Sequence, residues 1–163
     1  MKLPLHLLCT VHPKLRGHLV DYARCGGVAL QRSGHSSPVE ANTDHDGIGM
    51  AAEIEWLTQD LAQLDVSDAN RVTEDGAEAV ALSYAHSKSG WVVKRRLQRR
   101  ESADWLLGIG PRWLALEVSG MASGNPHDRL KEKREQVSRC SLPAERLAVV
   151  VLFSTPTILA ATA

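Results

Sequence analysis

The chain has 163 residues and a formal net charge of zero, and 44% of its residues are hydrophobic, which is enough for one domain with a proper core. Its three cysteines include no CxxC pair, which argues against a zinc cage and favours a reducing compartment. No apolar run approaches the length that spans a membrane, and Pro4 and His6 interrupt the first one. We therefore expect a cytoplasmic protein without a membrane partner.

The zero net charge conceals two regions of opposite charge. Residues 40–78 contain eleven acids and one base, whereas residues 91–100 contain five bases and no acid. The five bases are Lys94, Arg95, Arg96, Arg99 and Arg100. Because a strand presents alternate side chains to one face and the run has no counter-charge of its own, these bases are a candidate nucleic-acid-binding strip. The alternative is that the two regions neutralise each other in the fold or face solvent.

Two elements are predicted in the N-terminal part. Apolar residues at helical spacing predict a helix over residues 12–31, with a break at Gly26 and Gly27. Asp46 and Gly47 form the dipeptide of a tight hairpin, which we prefer to a calcium-binding loop because the first ligand position holds Asn42 rather than Asp. The arm after the turn, residues 50–64, fits a strand or a helix, and the pattern leaves this open.

The clearest patterns follow residue 67. They predict a capped helix over residues 68–90, three strands up to residue 119, an amphipathic helix over residues 128–139 and a buried strand over residues 146–154. The last six residues are expected to be a loose tail. The expected fold is α/β, with a small mixed central sheet and helices on both faces. We divide this single domain, residues 1–163, into a helix and acidic hairpin that form an appendage (1–67) and a core (68–154).

Two adjacent predicted strands each place one carboxylate where the pattern otherwise has apolar residues. Glu117 shares a strand face with Ser119, and the intervening Gly-Ile-Gly-Pro turn would bring Asp104 near Glu117. Two adjacent carboxylates repel each other and lose solvation unless a cation or a proton lies between them. Glu74, on the core side of the preceding helix, could join them. The set favours a divalent metal site; the alternative is a structural role in hydrogen bonds to strand ends or to arginines.

The core resembles the PD-(D/E)xK nuclease superfamily, which has the restriction-endonuclease-like fold. The resemblance rests on the αβββαβ order of the predicted elements, on an acid in the first helix, and on the segment Glu117-Val118-Ser119. It covers about residues 68–154. It implies that Glu74, Asp104 and Glu117 bind Mg²⁺ or Mn²⁺, with the Val118 carbonyl as a further ligand.

The chain departs from that superfamily at the position of the catalytic lysine, which is Ser119 here. The resemblance then implies that the metal alone activates the water, that a base such as Lys131 or Lys133 substitutes, or that the site is inactive. The candidate catalytic residues are Asp104, Glu117, Ser119 and Lys131. The segments TEDGAEAVAL, ADWLL, LALEVSG and LAVVVLF are also similar to an uncharacterised family of small bacterial proteins that share the serine.

The function expected from this resemblance is a Mg²⁺- or Mn²⁺-dependent nuclease-like domain that hydrolyses phosphodiester bonds of DNA or RNA. The alternative is a catalytically inactive module that keeps the fold and binds a partner protein, a nucleic acid or a second copy of the chain. Absence of the lysine favours the module, and retention of the three acids favours the enzyme.

Overall fold

The computed structural model describes residues 1–61 and 68–163. The strands in this part of the chain are β1 (Lys2–Pro4), β2 (Val39–His45), β3 (Ile48–Glu55), β4 (Val92–Arg96), β5 (Trp105–Ile109), β6 (Arg112–Met121), β7 (Glu145–Leu152) and β8 (Thr157–Thr162). The α-helices there are α1 (Leu8–Val11), α2 (Arg16–Arg32), α3 (Ala69–Ser89) and α4 (Pro126–Ser138). The described strands form one mixed sheet of eight, in the order β1-β3-β2-β8-β7-β6-β5-β4. The predicted α/β class is confirmed, and the sheet is larger than expected.

The elements after residue 67 follow the predicted order α3, β4, β5, β6, α4, β7. α3 begins after Asp68, whose carboxylate accepts a hydrogen bond from the Asn70 N–H, and it ends at Gly90 in the left-handed conformation. β4, β5 and β6 are antiparallel neighbours, whereas β6 and β7 are parallel and are joined through α4. The end of β6 lies beside the first turns of α3, where Gly120 approaches Thr73 and Ala77.

The predicted hairpin is confirmed as β2 and β3, which pair antiparallel. Asp46 and Gly47 occupy its turn with φ angles of 53° and 82°, and the Asp44 carboxylate accepts a hydrogen bond from the Gly47 N–H. The ambiguous arm is a strand up to Glu55, and residues 56–61 are not helical. The rest of that arm, residues 62–64, lies outside the described residues.

The prediction of a loose tail at the C-terminus is wrong. These residues form most of β8, which pairs antiparallel with β7 and parallel with β2, so it fills an internal position in the sheet. Its residues Ile158, Leu159, Ala160 and Ala161 are buried. A short apolar run at the chain end has no periodicity or turn signal of its own, and only its two neighbours make it a strand. The hairpin and the core strands therefore share one sheet, and the division at residue 67 stays a prediction.

Helices cover both faces of the sheet. α2 and α3 pack together over the face that carries Leu114, Leu116 and Val118, while α4 covers the face of Ala115 with its Val137. α2 continues through Gly26 and Gly27, so the break predicted there is wrong. A Cβ on Gly76 of α3 would lie 3.0 Å from the Gly26 Cα, so Gly26 and Gly76 allow the close contact of the two helices, whereas a Cβ on Gly27 would meet Trp56. No described helix is long and apolar enough to cross a membrane.

Gly120 fixes the distance between α3 and the end of β6. A Cβ at this position would lie 2.3 Å from the Thr73 carbonyl oxygen and 2.9 Å from the Ala77 Cβ. Only glycine allows the helix to approach the strand this closely. The acids that follow Thr73 on α3 therefore lie next to the end of β6.

Candidate active site

A polar cavity of about 220 Å³ lies where the ends of β4 and β6 meet α3 and α4. The described residues that line it are Glu74, Glu78, Arg96, Asp104, Val118, Ser119, Gly120 and Lys133. They come from two helices, two strands and the residue that precedes β5. Such a set of charged groups around one small space suits a charged ligand.

Asp104, which immediately precedes β5, lies beside Glu117 of the neighbouring strand β6. Trp105 pairs with Leu116 in the register of β5 and β6, and the Asp104 N–H donates to the Leu116 carbonyl at 2.9 Å. The Val118 N–H in turn donates to Asp104 Oδ2 at 2.8 Å. The strand pairing thus brings the two carboxylates together, as the Gly-Ile-Gly-Pro turn predicted.

Glu117 is a buried acid, and only one of its two carboxylate oxygens has a hydrogen-bond partner among the described residues. Its exposed fraction is 1%; Oε1 accepts a hydrogen bond from Lys133 Nζ at 2.6 Å, and Oε2 has no partner among the described residues. Burial, and then the charge of nearby Asp104, raises the pKa of Glu117 to about 7. A proton on Glu117 would let it donate a hydrogen bond to Asp104, whereas the ionised form leaves Oε2 without a donor. The pair therefore requires a proton or a cation.

The donor set fits a divalent cation, but only through these two carboxylates. Glu74 is exposed on α3 and lines the cavity, and Glu117 lies beneath the cavity wall. Within residues 1–61 and 68–163, no group of three or more His, Cys, Asp or Glu is arranged to hold a metal ion. Mg²⁺ commonly uses one or two carboxylates, with waters and substrate phosphates completing its shell. The unpartnered Glu117 Oε2 beside Asp104 fits that use.

The ammonium group of this site comes from Lys133. Ser119 lines the cavity, while Lys133 reaches the same space from α4 and bonds to Glu117. Lys131 is exposed on α4 and is not among the residues that line the cavity. One residue in three or four shares a helix face, so the sequence could place only one of these two lysines toward Glu117. The structure places Lys133 there.

Glu78 lines the cavity, although the sequence did not place it among the candidate site residues. It is 7% exposed, accepts two hydrogen bonds from Arg96 at 2.9 Å, and accepts a third from Trp105 Nε1 at 2.9 Å. Burial raises the pKa of Glu78 to about 7, against the opposing effect of Arg96. The sequence does contain one sign of this role: Glu78 is the one acid in the run of mostly small and apolar residues from Gly76 to Ala85. The structure buries that whole run.

The basic strip does not present a uniform surface. Arg95 forms two hydrogen bonds with Glu101, and Arg96 forms two with Glu78, so the run carries counter-charges. The pair of Arg96 with Glu78 fits the alternative that the acidic and basic regions neutralise each other in the fold. In the strand register Arg95 lies opposite Leu106 and Arg96 opposite Trp105, which places the two arginines on different faces. Of the others, Lys94 is half-buried and Arg100 exposed, and the side chain of Arg99 lies outside the described part of the structure.

Comparison of the chain with protein-family models, with curated proteins and with solved structures gives no significant match. A function for this chain is therefore inferred from its own residues and from the geometry of the cavity, and a relation to PD-(D/E)xK nucleases is a proposal.

Proposed function

We propose that the chain is a metal-dependent nuclease-like domain that hydrolyses phosphodiester bonds of DNA or RNA. The observation that carries this proposal is the pair of half-buried Asp104 and buried Glu117, in which one oxygen of Glu117 has no partner among the described residues and the other is bonded to the Lys133 ammonium. An acid pair on adjacent strands together with a lysine is the residue set that this chemistry uses in the superfamily. Lys133 supplies the charge that Ser119 lacks.

The order of elements supports the same proposal. α3, β4, β5, β6, α4 and β7 follow one another as in the αβββαβ core, and the strands pair antiparallel except for β6 with β7. In such a core the acids lie at the ends of the second and third strands, which are β5 and β6 here. Asp104 immediately precedes β5, and Glu117 lies in the second half of β6.

Each residue has a defined task in this proposal. Asp104 and Glu117 would hold Mg²⁺ or Mn²⁺, and the bound ion would supply a lowered pKa for water and positive charge for the non-bridging phosphate oxygens. The Val118 N–H orients Asp104 by holding Oδ2. Lys133 offsets the charge of Glu117 and places a positive charge at the cavity that it lines. Glu74 contributes a further negative charge at the cavity rim.

Cleavage assays with paired lysine variants test this function. Supercoiled DNA, single-stranded DNA and single-stranded RNA would be incubated with the wild-type chain in Mn²⁺, in Mg²⁺ and in EDTA. We expect slow cleavage that requires the metal, loss of cleavage in Asp104→Asn, and a much larger loss in Lys133→Met than in Lys131→Met. A larger loss in Lys131→Met would restore the role that the sequence gave to Lys131. If none of the three substrates is cleaved, the proposed nuclease activity is contradicted.

A second function, a catalytically inactive module that keeps this fold for binding, is favoured by one observation. Lys133 Nζ already lies 2.6 Å from Glu117 Oε1, so a fixed ammonium can provide the positive charge that a metal would otherwise provide. In that case the cavity binds a partner without chemistry. Metal-independent binding of nucleic acid, with no cleavage and no metal-dependent thermal shift, would select this alternative.

A further inference from the structure

Arg96 is held in a fixed position at the edge of the cavity. Its Nη1 donates to the Tyr22 hydroxyl at 2.6 Å and to Glu78 Oε2 at 2.9 Å, and its Nη2 donates to Glu78 Oε1 at 2.9 Å. The guanidinium carbon lies 5.0 Å from the Trp105 ring centroid and 5.9 Å from that of Tyr22. Hydrogen bonds and two aromatic rings therefore fix both the position and the plane of the group.

These contacts leave one edge of the guanidinium unused. Arginine has five N–H donors; three of those of Arg96 are engaged by Tyr22 and Glu78, and the other two have no acceptor among the described residues. The two free donors are the Nε–H and the second Nη2–H, which point in parallel from the same edge. Two parallel N–H groups match two oxygens of a phosphate. Arg96 lines the cavity and is about half exposed, so a ligand can reach it.

The charges around the cavity indicate when such a ligand would bind. Arg96 and Lys133 contribute two positive charges, whereas Glu74, Glu78, Asp104 and Glu117 contribute four negative charges when all are ionised. The site alone is therefore net negative and repels an anion. A divalent cation on Asp104 and Glu117 would bring the sum to zero. Phosphate binding at Arg96 should accordingly depend on a divalent cation.

We propose that the free edge of Arg96 binds two non-bridging oxygens of a nucleic-acid phosphate in this cavity, an inference that rests on the proposed function. Glu78, Trp105 and Tyr22 are positioning residues, because they hold the guanidinium without touching the substrate. Glu78 also neutralises Arg96, so that the arginine does not bind Asp104 in place of the phosphate. The arginine loses little conformational freedom on binding, since its contacts already fix it.

The test compares Arg96→Lys, which keeps the charge but loses the paired donors, with Arg112→Lys. Arg112 is a matched control at the opposite end of β6: it makes two hydrogen bonds to Glu145, at 2.8 and 3.0 Å, and lies 5.1 Å from the Trp91 ring centroid. Fluorescence anisotropy would measure binding of a labelled single-stranded oligonucleotide in Ca²⁺ and in EDTA. Cleavage in Mn²⁺ would give kcat and KM.

We expect Arg96→Lys to weaken Ca²⁺-supported binding and to raise KM, each by about tenfold, as for the loss of one charged hydrogen bond. Arg112→Lys should match the wild type. If Arg96→Lys binds and cleaves like Arg112→Lys in an active enzyme, the inference is overturned and the proposed function stands. If the wild type binds in Ca²⁺ without cleaving, and Arg96→Lys does not bind, the inference is supported and the proposed nuclease activity is contradicted. A wild type that neither binds nor cleaves contradicts both.

A second variant keeps the test decisive if Arg96→Lys does not fold. The double variant Glu78→Gln/Arg96→Gln removes both members of the ion pair, so no buried charge is left without a partner. We expect it to fold, to bind more weakly in Ca²⁺ by about tenfold or more, and to reduce the slope of log affinity against log salt by about 0.7, the value for one phosphate contact on a single strand. An unchanged affinity and slope would overturn the inference.

Discussion

Replacing Glu117 with Gln should change how the stability of the protein depends on pH. In the folded chain the pKa of Glu117 is raised from the ordinary 4.5 to about 7, first by burial and then by Asp104. A raised carboxyl pKa means that the stabilising protonated form is fully present below pH 4.5 and is lost as the pH rises through about 7. Glu117→Gln stays neutral at every pH and should not show this loss.

The magnitude follows from the shift of the pKa. One pKa unit corresponds to 1.36 kcal/mol, so a rise from 4.5 to about 7 corresponds to about 3 kcal/mol of unfolding free energy. Wild type should therefore lose about 3 kcal/mol relative to Glu117→Gln between pH 4.5 and pH 8. Every other titrating group, including Glu78, is present in both proteins, so the difference reports the Glu117 carboxyl together with its interaction with Asp104.

Urea denaturation of both proteins at pH 4.5, 6, 7 and 8, followed by circular dichroism, measures this difference. Mn²⁺ at pH 8 should restore the stability of the wild type, since a cation replaces the missing proton, and should have little effect on Glu117→Gln. A difference between the two proteins that stays constant from pH 4.5 to pH 8 would refute the reasoning. It would mean that the pKa of Glu117 is the same in the folded and the unfolded protein, so that neither burial nor Asp104 raises it.

Three further predictions concern the frame around the site. Gly120→Ala should lower the free energy of unfolding by about 1–3 kcal/mol in urea denaturation, because the new Cβ meets the Thr73 carbonyl; an unchanged midpoint would contradict the packing of α3 on β6. Deletion of residues 157–163 should abolish the cooperative thermal transition, because β8 separates β2 from β7; a cooperative melt of the shortened chain would argue that β8 is dispensable. Burial, and then His86, lowers the pKa of His12 from 6.5 to about 4, so stability should fall by up to about 3 kcal/mol as the pH drops from 6.5 to 4. His12→Gln, compared with wild type in urea at both pH values, should remove that loss, and a parallel decline would show that His12 is not responsible.

The sequence predicted those parts of the fold that local patterns determine. α3, α4, β4 to β7 and the Asp46-Gly47 hairpin have apolar periodicity, caps or turn residues of their own, and the structure contains all of them. The approach of Asp104 to Glu117 was predictable for the same reason, since one short turn sets the register of their strands. Sequence patterns are sufficient to predict an element or a contact when the residues that pair in the fold are also close in the sequence.

The parts that were not predicted depend on residues distant in sequence. β8 is a strand because β2, more than a hundred residues earlier, pairs with one of its edges. Glu78 is a site residue because Arg96 and Trp105 reach it from β4 and β5, and helical spacing alone gives no sign of these contacts. Lys133 reaches Glu117 because α4 packs on the sheet face that carries Glu117, and the spacing within α4 alone does not show which of its lysines does so. In each case the cause is tertiary packing.

The central claim is that Asp104 and Glu117 form a divalent cation site, and one diffraction experiment tests it most directly. Crystals soaked in Mn²⁺ at pH 8 would give anomalous scattering from any bound ion. We expect an anomalous peak in contact with a carboxylate oxygen of Asp104 and with Glu117 Oε2. Lys133 Nζ should have moved away from its present 2.6 Å contact with Glu117, or should donate a hydrogen bond to a water bound to the ion. Absence of a peak at saturating Mn²⁺, with the contact between Lys133 and Glu117 unchanged, would contradict it.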